Sequence, residues 1–482
     1  MLPCRPRASF LALPSALRVS LRLNFSSQAR HARPWSGQDA TPPASISVDG
    51  QTYPTDSWTN VPPTILQQYG RKLHLQPHHP LSMTRSLIES CFPGFHHHND
   101  LPGVVSVEEN FDSLGFAPDH PGRSRTDTYY LNRGTLLRTH TSAHEVELFR
   151  RNASAGYTIS GDVYRRDAVD RSHYPVFHQM EGARTWERAR GGATEAAFVR
   201  RMRADLALIP TPGIVVEDAN PPFHPDRNPL QTAHHSPQEA ELIAAHLKRS
   251  LEHMVVAIFR AAERALQRAD HNHSGPSEEP LRVRWVEAFF PHTSPSWELE
   301  VWWRGEWLEV LGCGIVAQPL LVAAGVPSRI GWAFGLGLER LAMLLFGIPD
   351  IRLFWSTDAR FLSQFDDTQP PRRFQPFSKY PAAPRDVAFW LPDADAAAAS
   401  AAPPPPAFHE NDLMEVVRGA AGDSVEDVRR VDEFRHPRTG RRSLCYRVVY
   451  RSLEKTLTTE EANAMHEQVR RELVARFAVE LR

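Results

Sequence analysis

Gly335 and Gly337 stand two residues apart at the end of an apolar run and are followed at once by Glu339 and Arg340, in "GWAFGLGLERLAMLLFGIPDIRLFW", residues 331–355. Paired glycines let a ligand lie directly against bare backbone. A dinucleotide loop of the G-x-G-x-x-G kind needs a third glycine for close helix–strand packing, and here Arg340 replaces it. A guanidinium at that point suits different chemistry, pairing with phosphate oxygens and stacking on a purine. A second stretch, "GDVYRRDAVDRSHYPVFHQMEG" at 161–182, puts Arg165 at the exit of one strand and Phe177, Gln179 and Glu181 along the next. Alternation by two places those three side chains on one face, an aromatic plate followed by an amide and a carboxylate. Such a face offers a surface to a base and acceptors to an amino group. Taken singly, each motif also fits plain structure: Arg340 as a surface arginine, Phe177 as core, Glu181 as an exposed strand carboxylate.

The elements that must position these residues alternate strands and helices from about Val104 to Arg340. "GYTISGDVYRR" and "HYPVFHQMEGA" read as strands joined by a polar loop. "TEAAFVRRMRADL" and "EAELIAAHLKRSLEHMVVAIFRAAERALQRA" read as helices, the second long and amphipathic. "RVRWVEAFF", "SWELEVWWRG" and "EWLEVLGCGIV" are three consecutive strands, the last pair turning at Arg304-Gly305. The sum is an antiparallel sheet flanked by helices, which removes support from a Rossmann topology. Upstream, residues 61–92 read as two helical segments split by "QPHHP", the passage before Pro63 as extended, and "HHHND" at 96–100 as a solvated loop without a metal site.

Beyond a proline-rich linker at 366–386 the order is β-α-β-β-α with a short final segment, a split βαβ ferredoxin-like domain. Its first loop carries the low-complexity stretch "DADAAAASAAPPPP". The domains are thus expected at 60–365 and 381–482, joined by 366–380, in an α+β chain. Removal of residues from about 377 onward is expected to spare the chemistry of the larger domain.

The 482 residues carry a net charge of -1, which gives no global basic field, so nucleic acid would have to be held by local patches. No apolar run is long enough to span a bilayer. The four cysteines, Cys4, Cys91, Cys313 and Cys445, are scattered, which argues against a zinc site or a disulfide framework. Residues 1–38 contain no Asp or Glu while Arg5, Arg7, Arg18, Arg22, Arg30 and Arg33 recur among Ser, Ala and Leu, the composition of a mitochondrial transit peptide and of a matrix protein.

Seven ordered stretches together, "ENFDSLGFAPDHPGR", "DTYYLN", "LLRTHTSAHE", "GDVYRRDAVDRSHYPVFHQMEG", "WLEVLGCG", the "GLGLER" segment and the final domain from "KYPAAPRDVAFWLP", resemble the class II aminoacyl-tRNA synthetases, and within them the single-chain mitochondrial phenylalanyl-tRNA synthetases. The resemblance covers about Ile65 to Arg482. It implies a class II catalytic domain that condenses L-phenylalanine with ATP and then esterifies tRNA(Phe), with Mg²⁺ accompanying ATP, no prosthetic group, no membrane, and a monomeric state. It implies that Arg165 grips the α-phosphate and that Arg340 holds the γ-phosphate end of a bent ATP while covering an adenine stacked on Phe177. Ser142, Ala143, His144 and Glu145 would meet the amino acid or adenylate, with Ser172, His173, Tyr174 and Met180 beside them. Gln179 and Glu181 would receive the α-ammonium group, and Glu309 would face the nucleotide or its magnesium. The side-chain pocket would be formed by Ala333, Phe334 and Gly335 together with the family's "FPF" pair, which here reads "FPH", keeping Phe290 but placing His292 second. Ser294 stands where bacterial-type relatives carry a carboxylate. The ferredoxin-like domain resembles their anticodon-binding domain, with Arg435, Arg438, Arg441 and Arg442 on a hairpin and Arg470, Arg471 and Arg476 on the last helix as tRNA contacts. A synthetase of another amino-acid specificity, a non-catalytic tRNA-binding paralogue and, weakest, a dehydrogenase are the competing readings.

Overall fold

The computed structural model describes residues 43–188, 195–269, 280–377, 380–392 and 408–482; the leader expected at 1–38 and the low-complexity stretch at 393–406 lie outside them. The first described segment corrects the expectation of an extended lead-in. "SISVDGQTYP" folds into a hairpin, β1 (Ser45–Val48) with β2 (Gln51–Pro54). Asp49 and Gly50 take the left-handed conformation, φ 52° and 77°, that such two-residue turns require. Ile46 and Val48 are buried in the main core, which fixes the hairpin's register.

A second correction concerns "HHHND": His96–His98 is strand β3, not a loop, because its backbone pairs in parallel with residues 157–159 about sixty positions away. The first helix expected in 61–92 shrinks to one turn, Pro63–Leu66, since Gly70 and Lys72 are both left-handed and cannot continue it. The second helix is present as Pro80–Glu89. Strands β4 (Val104–Ser106), β5 (Tyr130–Asn132) and β6 (Thr135–Leu137) form a small separate sheet.

The main sheet has eight strands. Besides β3 they are β7 (Gly156–Tyr164), β8 (Val176–Glu187), β9 (Val215–Glu217), β10 (Arg282–Phe290), β11 (Thr293–Trp303), β12 (Glu306–Val316) and β13 (Arg329–Gly337), in the order β3-β7-β8-β13-β12-β11-β10-β9. The six central strands are antiparallel throughout, and only the edge strands β3 and β9 pair in parallel. The β11–β12 turn falls at Arg304-Gly305, both with positive φ, as the sequence suggests. One face is covered by the 33-residue helix Pro237–Ala269, which buries Leu247, Leu251, Met254, Val255 and Ile258 against it. The indole of Trp332 ties that helix to β13 by donating to His246 Nδ1 at 3.1 Å. The opposite face packs in part, through Tyr157, Ile159, Ala183 and Ala333, against Leu148, Phe149, Leu320 and Leu321, and elsewhere borders a cavity.

The C-terminal sheet has the order β15-β16-β14-β17, built from β14 (Ala383–Trp390), β15 (Val425–Arg435), β16 (Arg442–Tyr450) and β17 (Glu480–Leu481). Helices Glu410–Ala421 and Thr459–Phe477 cover it, the latter started by a reciprocal Thr458–Glu461 capping box. The two cores meet at Arg352. It is 1% exposed, pairs with Asp350 at 2.6 Å, and donates Nη1 to the carbonyls of Asp423, Val425 and Arg451.

Candidate active site

The floor of the site is a consequence of strand register. Directly opposed residues in antiparallel strands share a face, and Glu181 on β8 faces Gly335 on β13, which faces Gly312 on β12, which faces Glu298 on β11. The next row runs Ala183, Ala333, Gly314 and Ser296. Two carboxylates therefore bracket two glycines, three strand spacings or about 14 Å apart. Gly312 leaves no room for a side chain, since a Cβ there would meet the ring of Phe290 at 2.6 Å, and one at Gly335 would crowd Glu181 Cγ at 3.2 Å. Above this floor opens a cavity of about 660 Å³.

Arg165 enters from the end of β7, with Nε held by the carbonyl of Thr139 at 2.7 Å and its guanidinium 5.3 Å from the ring centre of Phe177. Arg340 enters from the first turn of the helix Leu338–Phe346. Its Nη1 donates to the carbonyl of Glu309 at 2.9 Å and lies 3.6 Å from that residue's carboxylate, with both side chains about one-third exposed (35% and 31%). The helix start is pinned by Glu339, which is buried, accepts from the backbone N–H of His178 at 2.9 Å and meets its Nδ1 at 2.7 Å. Glu339 thus explains why "ER" rather than arginine alone closes the glycine motif: the first residue locks the helix to β8, and the second borders the cavity.

At the other end, Glu181 Oε1 accepts from the N–H and hydroxyl of Ser142 at 3.0 and 2.8 Å, while its Oε2 is buried without a partner. Gln179 Oε1 accepts from the N–H of Thr141 at 3.3 Å. Burial raises the Glu181 carboxyl above its ordinary range, and Glu145 is raised further by burial and by Glu181 beside it. An entering ammonium group would relieve both. His292 is pushed down to about 4 by burial, and His140 well below its usual value by burial, Arg165 and His292. Both imidazoles are therefore neutral at pH 7. The His140 ring stacks on Phe116 at 5.5 Å, and Phe290 and His292 lie 6.2 Å apart.

Most residues expected at the site border this cavity: Ser142, Glu145, Arg165, Ser172, His173, Tyr174, Phe177, Gln179, Glu181, Phe290, His292, Glu309, Ala333, Gly335 and Arg340. Three do not. Met180 is fully buried in the main core because strand alternation turns it away from Gln179 and Glu181. Ala143 packs with Phe111, Tyr130 and Leu136. His144 is swung away by the 3₁₀ turn Thr141–His144 and meets Arg138 Nη1 at 3.0 Å; its place on the wall belongs to His140. Phe334 borders the cavity, but its ring stacks on Phe92 at 5.3 Å on the core side. Ser294 donates its hydroxyl to the Pro229 carbonyl instead of entering the site.

Glu298, like His140 and Asp167, is a wall residue that the sequence reading passed over. Burial, Glu309 and Glu300 raise it to about 7. Its signal was present as the end of the "FFPHTSPSWE" segment, but only the strand register sets it opposite Gly312. Within the region from Pro221 to Pro280, without an assigned role in the sequence, residues 228–231 act as a buttress: Asn228 bonds both backbone groups of Ser296, and Gln231 donates to the carbonyls of Ser294 and Val316. On the C-terminal domain, Arg435, Arg438 and Arg471 are exposed. Arg442 pairs with Glu433 at 2.8 Å, Arg441 with Glu480 at 2.8 Å, and Arg470 lies 3.6 Å from Glu467.

Comparison with known proteins matches residues 66–189 and 273–365 to the tRNA synthetases class II core domain (F), and residues 378–482 to the ferredoxin-fold anticodon binding domain. The chain is 46% identical over 458 residues to the mitochondrial phenylalanine–tRNA ligase of Saccharomyces cerevisiae, covering 91% of this chain and 95% of that one. Against the mitochondrial phenylalanine–tRNA ligase of Mus musculus the identity is 38%, with 95% of each chain covered. Against the chloroplastic/mitochondrial phenylalanine–tRNA ligase of Arabidopsis thaliana it is 36%, with 99% and 97% covered.

Proposed function

The chain belongs to the family of phenylalanine–tRNA ligases, and we propose that it joins L-phenylalanine to tRNA(Phe) in the mitochondrial matrix, by way of phenylalanyl-adenylate and as a monomer. One observation carries this reading: a single cavity gathers the guanidiniums of Arg165 and Arg340 and the Glu181–Ser142 pair around a floor of glycine. ATP is a substrate of the first step. The carboxylate of phenylalanine attacks the α-phosphorus, a P–O bond forms, and the bond to pyrophosphate breaks. A terminal ribose hydroxyl of tRNA then attacks the adenylate carbonyl, AMP leaves with the electron pair of the broken C–O bond, and the hydroxyl proton is released.

Neither step needs a protein nucleophile. The site has to align two reactants and stabilise charge on the phosphorane-like transition state. Arg165 is assigned to the α-phosphate, Arg340 to the terminal phosphates and the outer face of the adenine, and Phe177 to its inner face. Glu181 and Gln179 receive the ammonium group, while Ala333, Gly335, Phe290 and His292 shape the phenyl pocket, where a neutral imidazole can meet a ring edge to face. The carboxylates of Glu298 and Glu309 suit a hard divalent ion; they would hold Mg²⁺, which neutralises phosphate charge when bound. Residues 60–365 form the catalytic unit, 366–380 the linker and 381–482 the anticodon-binding unit, with Arg435, Arg438, Arg441, Arg442, Arg470 and Arg471 as its tRNA contacts.

Phenylalanine-dependent exchange of labelled pyrophosphate into ATP tests the reading. Exchange is expected with phenylalanine and not with tyrosine at equal concentration. Exchange supported only by another amino acid would refute the specificity, and none with any amino acid would favour a non-catalytic tRNA-binding paralogue.

A further inference from the structure

The loop between β7 and β8 begins at Arg165 and contributes Asp167, Ser172 and His173 to the cavity wall, with Tyr174 just before β8. Its two ends are held by the catalytic body, through Arg165 N to the Pro175 carbonyl at 2.9 Å and Arg166 N to the Asp127 carbonyl at 2.8 Å. Its middle is held once by the catalytic body, where the Ile351 N–H donates to the Arg171 carbonyl at 3.1 Å, and otherwise by the other domain. Asn411 Nδ2 donates to the carbonyl of Arg166 at 3.1 Å, Arg418 Nη1 to that of Asp167 at 3.2 Å, and the Val428 N–H to that of Val169 at 2.9 Å. The side chain of Val169, 1% exposed, packs into the hydrophobic core of the C-terminal domain together with Val428, Leu444 and Tyr446. Charged contacts repeat the arrangement: Arg166 meets Asp412 at 2.9 Å and Arg171 meets Glu426 at 2.8 Å. Glu415 accepts from the Tyr129 hydroxyl at 2.8 Å and lies 3.3 Å from Arg418.

We propose that Asn411 and Arg418 of the C-terminal domain are positioning residues for adenylate formation, fixing the backbone at 166–169 and so placing Arg165 and Asp167 at the phosphate end. The inference rests on the adenylation reading of the cavity. A loop left to order itself around ATP would charge that entropy against binding and against alignment in the transition state, and three carbonyls already occupied remove the cost beforehand. The amino-acid end is held differently, by the Glu181–Ser142 bonds inside the catalytic body. The domain expected from sequence to be dispensable for the first half-reaction is therefore part of its scaffold.

The test uses the full-length chain and pyrophosphate exchange without tRNA, varying ATP and phenylalanine in turn. Arg418→Met should lower kcat/KM for ATP about tenfold, the effect of one charge-assisted hydrogen bond, with KM for phenylalanine within about twofold of the parent. Asn411→Ala should give about a threefold loss of the same kind, and Arg418→Lys, which keeps a charged donor, should recover most of the activity. Unchanged ATP kinetics in both Arg418→Met and Asn411→Ala would overturn the proposal, and so would parallel losses for ATP and phenylalanine, which mark general destabilisation. Should Arg418→Met not fold, Asn411→Ala decides on the same two criteria. Absence of exchange in the unaltered protein counts against the adenylation reading itself, not against this inference.

Discussion

At the end of the cavity assigned to the phosphates the groups are guanidiniums, Arg340 one-third exposed beside Glu309 and Arg165 set deeper against Phe177, whereas at the end assigned to the amino acid they are buried and electrically suppressed: Glu145 and Glu181 raised, His140 and His292 neutral. The contrast follows the ligand. Phosphates bring several charges and call for fixed opposite charge, which a guanidinium keeps even where, as at Arg165, burial disfavours it. A phenyl ring brings none, and the single ammonium beside it is recognised best by a carboxylate that has no other cation. Loss of charge should therefore be felt through ATP at one end, and loss of charge or of shape through the amino acid at the other.

Arg340→Ala should break the phosphate end most severely, lowering phenylalanine-dependent exchange about 10³-fold, as removal of a transition-state donor does, with the thermal midpoint near the parent's; substantial exchange would remove Arg340 from its assigned role. Glu181→Gln attacks the other end and should raise KM for phenylalanine about 100-fold while KM for ATP stays put. Equal effects on both substrates would erase the distinction between the ends. Ala333→Gly tests shape alone, and should improve kcat/KM for a para-chloro analogue about tenfold relative to phenylalanine; unchanged discrimination would show that Ala333 does not limit the pocket.

Two smaller effects sharpen the electrostatic contrast. Glu298 titrates near 7 in the folded chain, against an ordinary value of 4.5. The folded state then binds more protons between those values, so this group's stabilisation is complete below about 4.5 and is lost as the pH rises through about 7. Thermal midpoints measured from pH 5 to 8 should fall less steeply in Glu298→Gln than in the parent. His292→Phe should change kcat/KM less than about threefold and leave the chain no less stable, because it removes a buried Nδ1 that has no partner. A large loss would assign His292 a hydrogen bond to the substrate.

The sequence disclosed what depends on local period. Alternation set Phe177, Gln179 and Glu181 on one face, and the same alternation placed Met180 in the core, against its assignment by resemblance. The Arg304-Gly305 turn and the split βαβ order were equally legible. "DG" at 49–50 is as strong a hairpin signal, hidden only by the proline and serine around it. What escaped depends on distant partners. Strand β3 exists because of residues 157–159, and Glu298 matters because Gly312 faces it across one strand and Glu309 raises it. His140 and His144 are two histidines four apart in "THTSAHE", and no local rule says that the turn between them sends the second to Arg138.

The row Glu181–Gly335–Gly312–Glu298 has an evolutionary corollary. Its length is a whole number of interstrand distances, set by backbone hydrogen bonds that no point substitution can stretch. Mutation can alter what stands at either terminus of the row, or plug the middle, but it cannot lengthen the row by a fraction. Substitution in a chain built this way can exchange wall residues around a fixed gauge, while the distance between the two carboxylate positions is the dimension the sheet holds constant.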